Sequence, residues 1–244
     1  MINLFNTLLY QPLFNILVIL VNIIPNHDLG WAIIALTIII RLILYPLSAK
    51  ALKSQQALQG LQPKLKEIQE NHKNDPTAKQ KALMTFYQQN KINPLSSCLP
   101  LIIQFPILIA LYQVFIKGLD TNNFHFLYSF VNRPENFNVI FLGLINLNQP
   151  NAILAILTGA SQYLQTKLFM PKITQTANSK NSSSMDDFSK IMSKQMLYFM
   201  PVFITFIAWR LPSGLAIYWL ASTIFTIVQQ HILVKKYKEK KIWP

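Results

Sequence analysis

Acidic residues are scarce in this chain: nine Asp and Glu stand against 22 Lys and Arg, for a net charge of +13. None of the nine lies in the long apolar stretches, which excludes a carboxylate proton relay through the membrane and offers no paired carboxylates for acid–base chemistry. A single cysteine, Cys98, rules out an internal disulfide framework and a Cys-based zinc cluster. The four histidines show no metal-ligand spacing. No Ser/His/Asp set and no glycine-rich phosphate loop occurs, so the sequence gives no ground for an enzyme and implies no cofactor. No Lys or Arg precedes Arg41, which argues against a secretory signal or a mitochondrial transit peptide, and no cysteine near the start suggests a lipid anchor.

Apolar residues are abundant. They make up 52% of the chain and only 13% is charged. They fall in runs at 31–40, 101–116, 196–209 and 215–234. In water such runs would expose too much apolar surface, so a bilayer is their natural solvent. The expected organisation is an all-α polytopic membrane protein. It starts with an amphipathic interfacial segment (1–29), with a short membrane span as the other reading of residues 10–25. Five transmembrane helices follow at 30–47, 95–116, 152–169, 195–210 and 215–234. Between them lie a helical hairpin (48–94), an interfacial segment (117–151), a flexible loop (170–194) and a turn (211–214). A basic tail (235–244) closes the chain. Several of these spans are short for a hydrocarbon core of about 30 Å, which would thin the bilayer locally.

Basic residues orient the spans. The 48–94 segment holds eight lysines and the tail holds Lys235, Lys236, Lys238, Lys240 and Lys241, whereas the opposite side holds only Lys117, Arg133 and Arg210. The rule that Lys and Arg collect on the cytoplasmic side then supports five spans with the N-terminus outside and the C-terminus in the cytoplasm. The 48–94 segment reads as two helical arms. Leu58, Leu61, Leu65 and Ile68 recur at steps of three and four, and Ala82, Leu83, Phe86 and Tyr87 form a second stripe. Asp75-Pro76 is a helix start, with Asp as cap and Pro in the first turn. Residues 137–147 read as a short amphipathic helix.

Arg41 is the sharpest functional signal, since it lies between Ile40 and Leu42 in an apolar helix. A charge at a helix centre costs about 2.5–3.5 kcal/mol on insertion scales and usually faces a polar cavity. The alternative is that its long side chain snorkels to the cytoplasmic interface. Thr37, four residues earlier, shares its face. Gln104, Ser161, Gln162, Gln165, Gln229 and Gln230 are the other polar groups of the spans. They either line a wet cavity with Arg41 or, singly, bond neighbouring helices. Tyr218 and Trp219 either border that cavity or pack and anchor at the interface.

Five motifs carry a resemblance. They are Arg41-Leu-Ile-Leu-Tyr-Pro-Leu47, Leu61-Gln-Pro-Lys-Leu-Lys66 and Asn93-Pro-Leu-Ser-Ser-Cys98, which runs on to Gln104 and Pro106. The last two are Phe199-Met-Pro-Val202, and Leu211-Pro-Ser-Gly-Leu215 with Tyr218-Trp219 and Val228-Gln-Gln230. In this order the chain resembles the YidC/Oxa/Alb family of membrane protein insertases over roughly residues 10–235. The resemblance implies a bacterial plasma membrane protein with five transmembrane helices around a polar groove open to the cytoplasm and to lipid, with a cytoplasmic helical hairpin. It implies that Arg41 sits in that groove with Thr37 and Trp219, and the polar groups Gln104, Gln162, Gln165 and Gln229 are expected to line it with them. It implies nascent membrane proteins as clients and a basic tail, Lys235 to Lys241, that meets the ribosome or anionic lipids, with the Sec translocon as a further partner. The large extracytoplasmic domain and the lipoprotein start of some members are not expected here. The 174–188 loop is longer than usual, and Arg210 replaces a usually apolar residue. The rival functions are a small polytopic transporter, which the missing span carboxylates disfavour, and a membrane-protein assembly factor.

Overall fold

The computed structural model describes residues 2–72, 75–90, 99–118, 121–134, 137–169 and 195–239. The expected loop 170–194, residues 91–98 with Cys98, residues 73–74 of the hairpin turn, and Lys240 and Lys241 of the tail lie outside the described residues.

Helices dominate. A first turn α1 (Ile2–Phe5) runs through a π-helical turn, Asn6–Tyr10, into α2 (Gln11–Ile23). Then come α3 (Leu29–Ile43), α4 (Tyr45–Gly60), α5 (Gln62–Asn71) and α6 (Pro76–Gln89). The helix α7 (Leu99–Gln113) continues through a π-helical turn, Val114–Gly118, and α8 (Ala152–Phe169) follows. A third π-helical turn, Gln195–Phe199, leads into α9 (Met200–Arg210), and α10 (Ser213–Glu239) ends the described chain. Several starts have a local cause. Asp28 caps α3 by accepting from the Gly30 and Trp31 amides at 2.8 and 3.2 Å. Asp75 caps α6 from Thr77 and Ala78, both at 2.9 Å. Pro46 separates α3 from α4: it lacks the N–H that would bond the Leu42 carbonyl, and the two helices meet at 63°. Pro63 does the same between α4 and α5, so the first arm of the helical hairpin is two helices instead of one.

The bundle is built around α10, which packs on α8 along one side and on α3 along the other. Helix α9 pairs with α8, and α2 with α3. Phe14, Leu17, Val18, Leu29, Leu111 and Tyr218 lie fully inside. Lipid is as apolar as these side chains, so close approach and polar contacts carry more of the helix association than burial does. Gly159 shows this: a Cβ there would run into the side chain of Thr205 and the Pro201 carbonyl, so α8 and α9 meet backbone to backbone. Ile153, Ile156, Val202, Phe206 and Trp209 form an exposed apolar outer surface on the same two helices.

The N-terminal helix has telling partners. Gln11 and Asn15 donate to the Phe126 carbonyl at 3.2 and 2.9 Å, and Asn22 donates to Asn132 at 2.9 Å. The Tyr128 amide donates back to Asn15 at 2.7 Å. Asn6–Ile23 is long and apolar enough to cross a membrane by composition. It nevertheless lies along the 126–132 segment for about three turns.

Residues 137–147 are not the short helix that their composition suggested. They form a β-hairpin, β1 (Ile140–Phe141) antiparallel to β2 (Ile145–Asn146). Val139, Ile140 and Phe141 favour extended backbone. Leu142 and Gly143 reverse the chain with φ of 54° and 72°. The fold is therefore an all-α membrane protein with one small β element.

Candidate functional site: the polar cluster around Arg41

Arg41 sits in the last turn of α3, just before the Pro46 break, so its side chain leaves the helix where the ladder of backbone bonds is interrupted. Its Nε donates to Ser222 Oγ of α10 at 2.9 Å, and its Nη2 donates to the same oxygen. The Nη2 group also donates to Gln104 Oε1 of α7 at 3.2 Å. The amide of Gln104 in turn donates to the Tyr218 hydroxyl at 2.8 Å. Three helices are thus tied through one half-buried guanidinium. Among the described residues no carboxylate forms an ion pair with it, and no bond to its Nη1 is seen. Neutral acceptors hold the cation in place and leave it a net positive charge with hydrogen-bonding capacity to spare.

The other expected groove residues divide. Thr37 is fully buried one turn before Arg41, and its hydroxyl bonds back to the Ile33 carbonyl at 2.7 Å. Trp219 is half-buried next to Tyr218 on α10. Gln229 is buried and bonds at 3.5 Å to the Tyr45 carbonyl, which lies at the α3–α4 break. It holds the bend instead of joining the Arg41 cluster. Gln162 and Gln165 are half-buried on α8, and no hydrogen bond among the described residues links either to Arg41. The buried Gln230 Oε1 has no described partner. Lys235, Lys236 and Lys238 ride on the last turns of α10.

Sequence reasoning missed Ser222, the principal acceptor of Arg41. A serine in a membrane helix is commonplace, and the contact joins residues 181 positions apart. Its one signal was spacing: Tyr218 and Ser222 are four apart, hence on one face of α10. Arg210, exposed beside Trp209, lies over the Phe206 ring with its guanidinium carbon 5.4 Å from the centroid.

Comparison with known proteins matches residues 19–241 to the family described as 60Kd inner membrane protein. The chain is 34% identical over 237 residues to a protein of Wolinella succinogenes named membrane protein insertase YidC, covering 97% of this chain and 39% of that relative. Proteins of the same name from Francisella tularensis subsp. novicida and from Francisella philomiragia are each 34% identical over 209 residues. Each of these matches covers 86% of this chain and 33% of the relative. The chain therefore spans well under half the length of the curated relatives it matches.

Proposed function

The chain belongs to the 60Kd inner membrane protein family, and from that premise we propose that it is a membrane protein insertase that works without covalent chemistry. The observation that carries the proposal is the Arg41–Ser222–Gln104–Tyr218 cluster, a half-buried cation among neutral polar groups inside a largely apolar bundle. The polar flank of a client segment must cross hydrocarbon, where an unpaired polar group costs several kcal/mol. A polar cluster near the end of α3 would shorten that passage. Arg41 attracts acidic or polar flanks, while the apolar part of the segment slides out onto the exposed faces of α8 and α9. Thr37, Gln162, Gln165 and Trp219 would border the path, and Gln229 would hold the bend from which Arg41 projects.

In this reading α3, α7, α8, α9 and α10 span the membrane, with α4 to α6 and the lysine-rich end of α10 in the cytoplasm. Helix α2 lies in the outer interface, which its bonds to Phe126 and Asn132 support. Nascent membrane proteins are the clients. The ribosome, anionic lipids and the Sec translocon are partners of the cytoplasmic elements.

The test is reconstitution. Purified protein in liposomes should insert a protease-protected client whose flank is acidic, and Arg41→Ala should slow that client more than one with a neutral flank. Arg41→Lys should restore part of the rate, because it keeps the charge but loses the fork that reaches Ser222 and Gln104 together. Equal loss for every client would leave Arg41 a purely structural role.

A further inference from the structure

The β1–β2 hairpin is clamped at its base and apolar at its tip. The Leu29 amide donates to the Asn138 carbonyl and the Asn138 amide to the His27 carbonyl, both at 3.0 Å, at the start of α3. The Gly214 amide donates to the Leu147 carbonyl at 3.1 Å and the Ser213 amide to the Gln149 carbonyl at 3.0 Å, at the start of α10. Phe141 is buried over Gly30 and meets the Trp31 ring edge-on, with centroids 5.7 Å apart. The base is therefore fixed to the first turns of two membrane helices, at the end of the bundle away from α4 to α6. Beyond it Leu144 is 86% exposed and Leu142 61%. Leu142 also has φ of 54°, a region that bulky side chains rarely adopt, and Asn or Gly would sit there without strain. No charged residue occurs between Glu135 and Lys167. In water, such a tip would be an unprotected sticky edge, since exposed hairpins are normally guarded by charges.

We propose that the Leu142-Gly143-Leu144 tip docks into the outer leaflet of the bilayer. Leu144 is three residue steps beyond Phe141, so the tip lies within about 10 Å of the first turn of α3, at headgroup depth. Its surface continues the apolar outer face of α3, where Trp31 is 50% and Ile38 42% exposed. The uncharged tip enters by apolar area alone, and its contact is therefore indifferent to the charge of the headgroups. The docked hairpin pins the ends of α3 and α10 to the leaflet while Arg41 and Ser222, farther down the same helices, hold the polar cluster. The inference rests on the reading of α3, α9 and α10 as membrane spans, not on insertase activity.

The test uses the full chain with Cys98→Ser, reconstituted in phosphatidylcholine vesicles with and without phosphatidylglycerol, and with an environment-sensitive fluorophore on Leu144→Cys. Asn148→Cys serves as the water reference and Phe206→Cys as the lipid reference. The probe at 144 should emit to the blue of the probe at 148, be quenched by lipids spin-labelled near the headgroup, and be shielded several-fold from iodide supplied on both sides. The shielding should be the same in both lipid mixtures and at every protein-to-lipid ratio. Iodide quenching at 144 as strong as at 148 overturns the proposal, and so does shielding that vanishes on dilution of the protein in lipid, which would mean that a second copy covers the tip. Iodide quenching at 206 as well would overturn the membrane reading itself. If Leu144→Cys fails to reconstitute, Leu142→Cys reports the same contact with the same outcomes.

Discussion

Ser222→Ala is the sharpest perturbation of the polar cluster, because Ser222 Oγ accepts from both Nε and Nη2 of Arg41. With the hydroxyl gone, Nε has no other described acceptor, while Nη2 keeps Gln104 at 3.2 Å. A hydrogen bond to a charged group is worth about 1.5–3 kcal/mol net. At about 1.4 kcal/mol per factor of ten, the folded-to-unfolded ratio should fall roughly 10- to 100-fold. A double-mutant cycle with Arg41→Met isolates the pair, since methionine fills similar space without the charge. In the Arg41→Met background, Ser222→Ala should cost less than about 0.5 kcal/mol, the limit within which independent sites add. The assay is reversible unfolding of the full chain in mixed micelles titrated with a denaturing detergent, followed by tryptophan fluorescence. An equal cost for Ser222→Ala in both backgrounds would refute the assignment of Ser222 as the seat of the guanidinium.

Three further outcomes follow from other parts of the fold. Gly159→Val should destabilise the α8–α9 pair by about 1–3 kcal/mol through overpacking, and Thr205→Ala in the same chain should recover part of it, since the Thr205 side chain is what the new Cβ meets. Asp75→Ala should cost α6 about 0.5–2 kcal/mol, read as faster hydrogen exchange at the Thr77 and Ala78 amides that it caps. Deleting residues 236–244 should lower ribosome affinity and flatten its salt dependence if the lysines dock on phosphates, whereas unchanged binding and slope would leave the tail a membrane-surface role.

What could be read from the sequence was local. The Asp75 cap, the Pro46 break and the apolar runs of the spans depend on neighbours a few residues away. The polar residues of the spans put Gln104 with Arg41 as one of two readings, but the closure of the cluster depends on Ser222, 181 residues from Arg41 and marked only by its four-residue spacing from Tyr218. Gln229 looked like another groove amide. Its actual partner is the Tyr45 carbonyl, at the bend between α3 and α4, a contact 184 residues away in sequence. The β-hairpin was misread because Phe137 to Leu147 is a nearly continuous apolar run, broken only by Asn138, Gly143 and Asn146, and periodicity alone does not separate a short helix from a strand in such a run. The deciding feature, positive φ at two successive positions, is foreshadowed only by Gly143. The N-terminal helix shows the same limit: its composition permits crossing, and only its bonds to Phe126 and Asn132 speak for a place along the 126–132 segment.

The central claim is that client segments pass beside the Arg41 cluster during insertion. It is tested most directly by photocrosslinking from this chain to ribosome-bound nascent membrane proteins of defined length. A photoreactive residue replacing Trp219 or Gln165 should capture the client's first apolar segment and its flank at intermediate lengths, and release them once the segment is fully inserted. A probe at Ile153, on the outer face of α8, should capture the apolar segment at later lengths only. Crosslinks that form solely with completed, released clients, or equally from every probe at every length, would contradict the account and assign the chain to assembly instead of insertion.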